Sequence, residues 1–232
     1  MPGTTPRERA REQTLQDITR IGREHLSAVG AAALSLRAVA RDLGVVSSAV
    51  YRYVRSRDEL LTLLVVDGYN ELGEEVEAAV ASTEDPREQF LALGRATREW
   101  ALREPALYGL LFGSPVPGYH APGEQTTIPG TRVVLCLVSI FGNAYAVGKL
   151  AANVVAPIGD ELSADLERIR GEIGLEIPDH LLARGILAWT ALFGAVNFEI
   201  FGQYGSDTFT DPAAMFEHHL AVLAETAGLS VA

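Results

Sequence analysis

Gly44 is the residue that most narrows what this chain can fold into. It lies inside Leu34–Leu60, which reads LSLRAVARDLGVVSSAVYRYVRSRDEL. Two helices that cross steeply through a three- or four-residue turn need a turn residue that accepts positive φ without strain. Gly44 stands where one helix, about Ser35 to Leu43, must stop and a second, about Ser47 to Val54, must begin. Close crossing also favours a small side chain, and Ala40 precedes the glycine by four. Val39, Leu43, Val45, Val50 and Val54 recur at helical spacing and are expected to face the shared core. Ser47, Ser48, Tyr51, Arg52 and Arg55 then face away. Hydroxyls, an aromatic ring and guanidinium groups are the side chains that contact phosphates and base edges. A helical hairpin with a merely polar surface fits the same spacing.

Charge bears on that choice. The formal net charge is −11, which as an average argues against a nucleic-acid partner. The distribution is uneven: Met1–Arg57 carries ten arginines against five acids, and the remaining residues carry nine basic against twenty-five acidic side chains. Screening acts over about 8 Å at physiological salt, so phosphates near a basic tip feel its local excess more than a distant acidic body.

The flanking sequence reads as helices throughout. Residues 1–6 are expected to form a short arm. Leu15, Ile18, Gly22 and Leu26 make one stripe of a helix from Arg7 to Val29, stopped by Gly30. Ser56-Arg57-Asp58-Glu59 is a capping box that opens a fourth helix, running to about Ala81. Asp85-Pro86 opens the next, to about Arg103, and Pro105 starts a short one ending near Gly113. Residues 113–130 hold four prolines and four glycines and are expected to be the one long loop, either a lid or a connection. Helices follow over about 130–154, from Ser163 to about Gly174, over about 179–205, and from Asp211-Pro212 to about Ala227. The expected fold is all-α with nine or ten helices. The longest uncharged runs, 16 residues between Arg132 and Lys149 and 14 between Arg184 and Glu199, fall short of a membrane span and read as buried helices. No signal peptide is visible. The single cysteine, Cys136, excludes an internal disulfide framework, and no metal or cofactor motif is present, so none is expected.

The segment over about residues 12–64 resembles the tetracycline-repressor-like (TetR) family of bacterial regulators. The residues that carry the likeness are the Gly30 stop, Ser35-Leu36-Arg37-Ala38-Val39-Ala40, Leu43-Gly44-Val45, Val50-Tyr51 and Tyr53-Val54-Arg55-Ser56-Arg57-Asp58-Glu59-Leu60. Trp189-Thr190-Ala191-Leu192-Phe193-Gly194 and Asn197-Phe198-Glu199 are a weaker likeness to the family's ligand domains. The chain departs from the family at Val46, where Ser or Thr is usual, at Tyr53, often His, and at Arg57, often Lys. Ser47 is expected to take over the cap that Val46 cannot provide.

The resemblance implies a cytoplasmic, homodimeric regulator that places one recognition helix per subunit in successive major grooves of a near-palindromic operator. The implied organisation is a helix-turn-helix DNA-binding domain over 1–60, a linking fourth helix over 57–81, and a ligand-binding and dimerisation domain over 82–232. Ser35, Arg37, Ser47, Ser48, Ala49, Tyr51, Arg52, Tyr53 and Arg57 are the expected DNA contacts; Ala49 either meets a thymine methyl or fills the helix. A small-molecule effector, partly apolar, is expected to favour a state whose recognition helices are wrongly spaced. Its candidate site residues are Trp100, Tyr108, Phe112, Phe141, Asn143, Tyr145, Trp189, Phe193 and Asn197, with the aromatics alternatively plain core and the two amides alternatively paired internally. The helices over 179–205 and 212–227 are the expected dimer surface. Gly185, Ala188, Leu192, Ala195 and Glu199 form a small-residue stripe that faces either the partner or the core of its own subunit.

Two rival readings stand beside this one. An enzyme lacks support, since the chain has no P-loop, no GxGxxG after a strand, no HExxH and no nucleophile elbow. The second is a TetR-like small-molecule-binding protein that no longer binds DNA specifically.

Overall fold

The computed structural model describes residues 5–151 and 156–229. The described residues are about 74% helical and contain no strand. In chain order the helices are α1 (Pro6–Val29), a 3-10 turn (Ala31–Ala33), α2 (Leu36–Asp42), α3 (Ser47–Val50), α4 (Arg57–Val80), α5 (Pro86–Arg103), α6 (Pro105–Phe112), α7 (Gly123–Ala146), α8 (Asp160–Ile173), α9 (Asp179–Ile200) and α10 (Pro212–Ala227). They form two compact units. One gathers the chain through Glu71 with Glu104–Gly130, and the other gathers Leu72–Arg103 with the chain from Thr131.

The helix starts follow from local hydrogen bonding. Thr5 and Glu8 make a reciprocal capping box at α1, so Thr5 and Pro6 belong to the helix start rather than to an arm; residues 1–4 lie outside the described residues. At α4 the Ser56 hydroxyl accepts from the Glu59 amide at 3.1 Å, while the Glu59 carboxylate reaches back to the Arg55 amide at 2.6 Å. Asp85 accepts from the amides of Arg87 and Glu88, and Asp211 from that of Ala214. Each cap satisfies donors that a helix start leaves orphaned.

In the first unit, Ile18, Leu26, Val39, Val50, Val54, Leu60, Leu61 and Leu64 are buried. Each stabilises the fold by about 1.5–3 kcal/mol. Gly44 has φ +68° and Gly30 φ +74°, the left-handed region that each break requires. The Val45 amide donates back to the Ala40 carbonyl at 3.0 Å, which closes the turn. Arg23 clamps α1 to α4 through Asp67 at 2.6 Å and through Glu71.

Several expectations are corrected. α3 ends at Val50; Tyr51–Tyr53 continue as tight i→i+3 turns rather than as α-helix. Val45 does not face the core and is 44% exposed, and Leu43 is only half-buried. The expected loop over 113–130 is helical from Gly123, because the Pro122 carbonyl accepts the amides of Gln125 and Thr126 and starts α7 there. Pro129 lies inside that helix. α7 stops at Ala146, α8 begins earlier than expected, at Asp160, and α9 stops at Ile200. With these bounds α7 and α9 are long and apolar enough to cross a membrane by length and composition. Each nevertheless buries a stripe in its own unit, Val133, Leu137, Ile140, Phe141 and Ala144 on α7 and Leu181, Ala188, Leu192 and Val196 on α9.

Candidate functional site

The two units hold the two groups of candidate residues. In the first, α2, α3 and the turn after it carry the residues expected to touch DNA. Arg37, Ser48, Tyr51 and Arg52 are exposed, and so is Arg55. Ser35, Ser47 and Ala49 are half-buried. Tyr53 is half-buried beneath the Arg11 guanidinium, which lies 5.6 Å from its ring centre. Arg57 is used inside the fold: its Nη2 donates to the Ala31 carbonyl at 2.8 Å, which ties the start of α4 to the 3-10 turn. His25 Nε2 and Asp42 Oδ2 meet at 2.6 Å between the ends of α1 and α2. Hydrogen bonds from His25 and Arg41 hold the Asp42 carboxyl below its ordinary range.

Val46 is the residue that sequence reasoning placed least well. It occupies the N-cap position of α3, no side chain caps that helix, and it is 71% exposed. Ser47 therefore does not take over the cap; it is the first residue of the helix. The signal was available, because a valine cannot accept a backbone N–H.

In the second unit, α7, α8 and α9 line a cavity of about 150 Å³ that opens to solvent beside the exposed Leu135 and Ile186. Phe141 and Trp189 line it; the other candidates do not. Phe193 packs against Trp189, ring centres 4.2 Å apart and planes tilted by 42°. Tyr145 borders a separate, polar groove beside Arg170. Asn143 is exposed, contrary to the expected buried amide, because the buried stripe of α7 runs through Ile140, Phe141 and Ala144. Asn197 keeps its Oδ1 buried without a hydrogen-bond partner. Trp100 is fully buried in the core of this unit. Tyr108 and Phe112 belong to the first unit, where they pack together at 5.0 Å between ring centres.

The small-residue stripe on α9 is divided, with Gly185 beside the cavity and Ala195 on a groove with α10. Ala188 and Leu192 are buried, and Glu199 is held by Arg98 of α5 through two bonds of 2.6 and 2.7 Å. The neighbouring face of α9 lines this shallow groove with α10, through Ala191, Gly194, Phe198 and Val222. Phe198 and Val222 are exposed there.

The pattern of the family described as "Bacterial regulatory proteins, tetR family" matches residues 18–64. That described as "Tetracyclin repressor-like, C-terminal domain" matches residues 90–223. An HTH-type transcriptional regulator of Mycobacterium tuberculosis (strain ATCC 25618 / H37Rv) is 46% identical over 226 residues, covering 94% of this chain and 96% of that protein. The crystal structure of SCO4313, described as a regulatory protein, superposes with a TM-score of 0.78 at 34% identity, covering 95% of this chain and 100% of that one. AibR, solved with isovaleryl coenzyme A and operator DNA, shares the fold with a TM-score of 0.58 at 14% identity, over 90% of this chain and 96% of its own.

Proposed function

Because the chain belongs to the TetR family of helix-turn-helix transcriptional regulators, we propose that it is a cytoplasmic homodimeric repressor that binds a near-palindromic operator and is released by a small molecule. The observation that carries this reading is the first unit's surface: Arg37, Ser48, Tyr51 and Arg52 stand exposed around a closed three-helix core. Arginines there contact phosphates, and the hydroxyl and tyrosine reach base edges. A twofold dimer sets its two reading surfaces about one helical turn apart, ~34–36 Å.

The rest of the chain supports the same reading. The groove between α9 and α10, with Phe198 and Val222 exposed along it, suits an isologous contact across a twofold axis. The cavity between α7, α8 and α9 is the proposed effector site, and α4 is the proposed link between the effector and DNA-binding regions. An effector acts only through its differential affinity for the two states.

Selection of bound duplexes from a random DNA library by the purified full-length protein tests this. The reading predicts enrichment of an inverted repeat, lost in Tyr51→Ala. Binding without sequence enrichment at low salt refutes specific operator recognition and leaves the small-molecule-binding alternative.

A further inference from the structure

The cavity between α7, α8 and α9 offers its occupant no hydrogen bond. Its wall includes Leu137, Val138 and Phe141 of α7, Ile173 of α8, and Gly185 and Trp189 of α9, and every lining residue is apolar or glycine. A hydroxyl or carboxylate moved into such a space loses its water and gains no partner. Cavities of roughly 150 Å³ lined only by Leu, Ile and Phe stay dry and take up benzene or xenon. This cavity has that volume and a lining with no polar surface, extended by Val134, Val138, Gly185 and Trp189, and it opens to solvent at Leu135 and Ile186. Phe141 and Trp189 add ring surfaces, against which an aromatic guest packs favourably in offset or edge-on contact.

We propose that this cavity binds an uncharged hydrocarbon group about the size of one aromatic ring and rejects the same group once it bears a hydroxyl or a carboxylate. The proposal rests on the reading of this unit as the effector domain only for its consequence at DNA, not for the binding itself. Gly185 sets the size limit. A Cβ added there meets Phe141 ring carbons at 3.8–3.9 Å, ordinary contact, so a side chain at 185 enters the space without forcing a neighbour aside. Alanine at a helical glycine also lowers the entropy lost on folding. Filling the cavity at this position therefore removes the guest while leaving the fold intact.

The test uses full-length protein without DNA. Toluene, phenol and benzoate are titrated separately, with the thermal midpoint and the combined fluorescence of Trp100 and Trp189 as readouts. The expected result is a concentration-dependent rise with toluene, phenol weaker by about tenfold or more, and no response to benzoate. Gly185→Ala weakens toluene binding and Gly185→Leu abolishes it, while both variants keep the helical circular dichroism of the parent. Three results overturn the proposal. Phenol or benzoate binds as well as toluene, toluene leaves the parent unchanged up to its solubility limit, or the two folded variants keep the full toluene response. Operator affinity is then measured with and without toluene. Toluene that binds as described but leaves operator affinity unchanged upholds the site and refutes its role as the effector site.

Discussion

Glu199→Ala should unfold the second unit more easily without weakening a dimer. Arg98 and Glu199 join α5 to α9 through two hydrogen bonds of 2.6 and 2.7 Å, and their side chains are only 15% and 16% exposed. Arg98 also lies 5.3 Å from the Phe216 ring centre of α10. Removing Glu199 strands a guanidinium that little water reaches. Breaking a buried pair costs about 3–5 kcal/mol, and the residual exposure here lowers that to about 2–4 kcal/mol. For a chain of this size each kcal/mol moves the melting midpoint by about 2–4 °C, so a drop of roughly 4–16 °C follows. Replacing both partners, Arg98→Met with Glu199→Leu, leaves no stranded charge and should recover most of the loss. Differential scanning calorimetry gives the midpoints, and sedimentation equilibrium gives the dimer constant. A single variant within 1 °C of the parent (about 0.5 kcal/mol or less), or a double variant as unstable as the sum of its parts, refutes the pair's assigned role. A large fall in dimer affinity with an unchanged midpoint would instead place Glu199 on the interface.

Three further outcomes are expected. Arg57→Ala should lower the melting midpoint through loss of its bond to the Ala31 carbonyl, whereas exposed Arg52→Ala should leave the midpoint unchanged and reduce the salt slope of DNA binding by about 1; calorimetry and fluorescence anisotropy read the two, and the opposite pattern contradicts the assignment. Val46→Ser should supply the missing cap of α3 and stabilise by about 1 kcal/mol, visible as a raised midpoint. Hydrogen bonds from Arg132, Arg95 and Lys149 hold Glu77, Glu217 and Asp85 below their ordinary values of 4.5, 4.5 and 3.8. Folded values that are depressed give stability that is present above the unfolded value and lost as pH falls through the folded one. The midpoint should therefore fall on acidification below about pH 4.5, and a rise there would contradict these pairings.

The first unit was legible because its constraints are local. Gly44, Ala40 and the Ser56–Glu59 cap act within a few residues, and each does in the structure what its chemistry demands. The errors there, Val45 and the length of α3, come from a turn too short for periodicity to resolve. The stretch over 113–130 misled because proline and glycine signal breaks, yet the Pro122 carbonyl starts a helix that carries Pro129 inside it. The effector residues were hardest to place. Aromatic type does not tell a wall from a core: Phe141 and Trp189 border the cavity, Trp100 fills the core, and Tyr108 packs in the other unit. In the sequence Gly185 belongs to a small-residue stripe, but its position beside the cavity depends on α7, which lies far away in sequence.

Sequence reading is assigned here to the exposed surface of α2, α3 and the turn to Tyr53. It is tested most directly by measuring affinity for the selected inverted repeat and for a scrambled duplex across a salt series, with parent, Arg52→Ala and Tyr51→Ala. The expected result is tight, salt-dependent binding to the repeat, weaker binding to the scramble, a shallower salt slope for Arg52→Ala, and loss of the preference for the repeat in Tyr51→Ala. Equal affinity for both duplexes, unchanged in either variant, would contradict it.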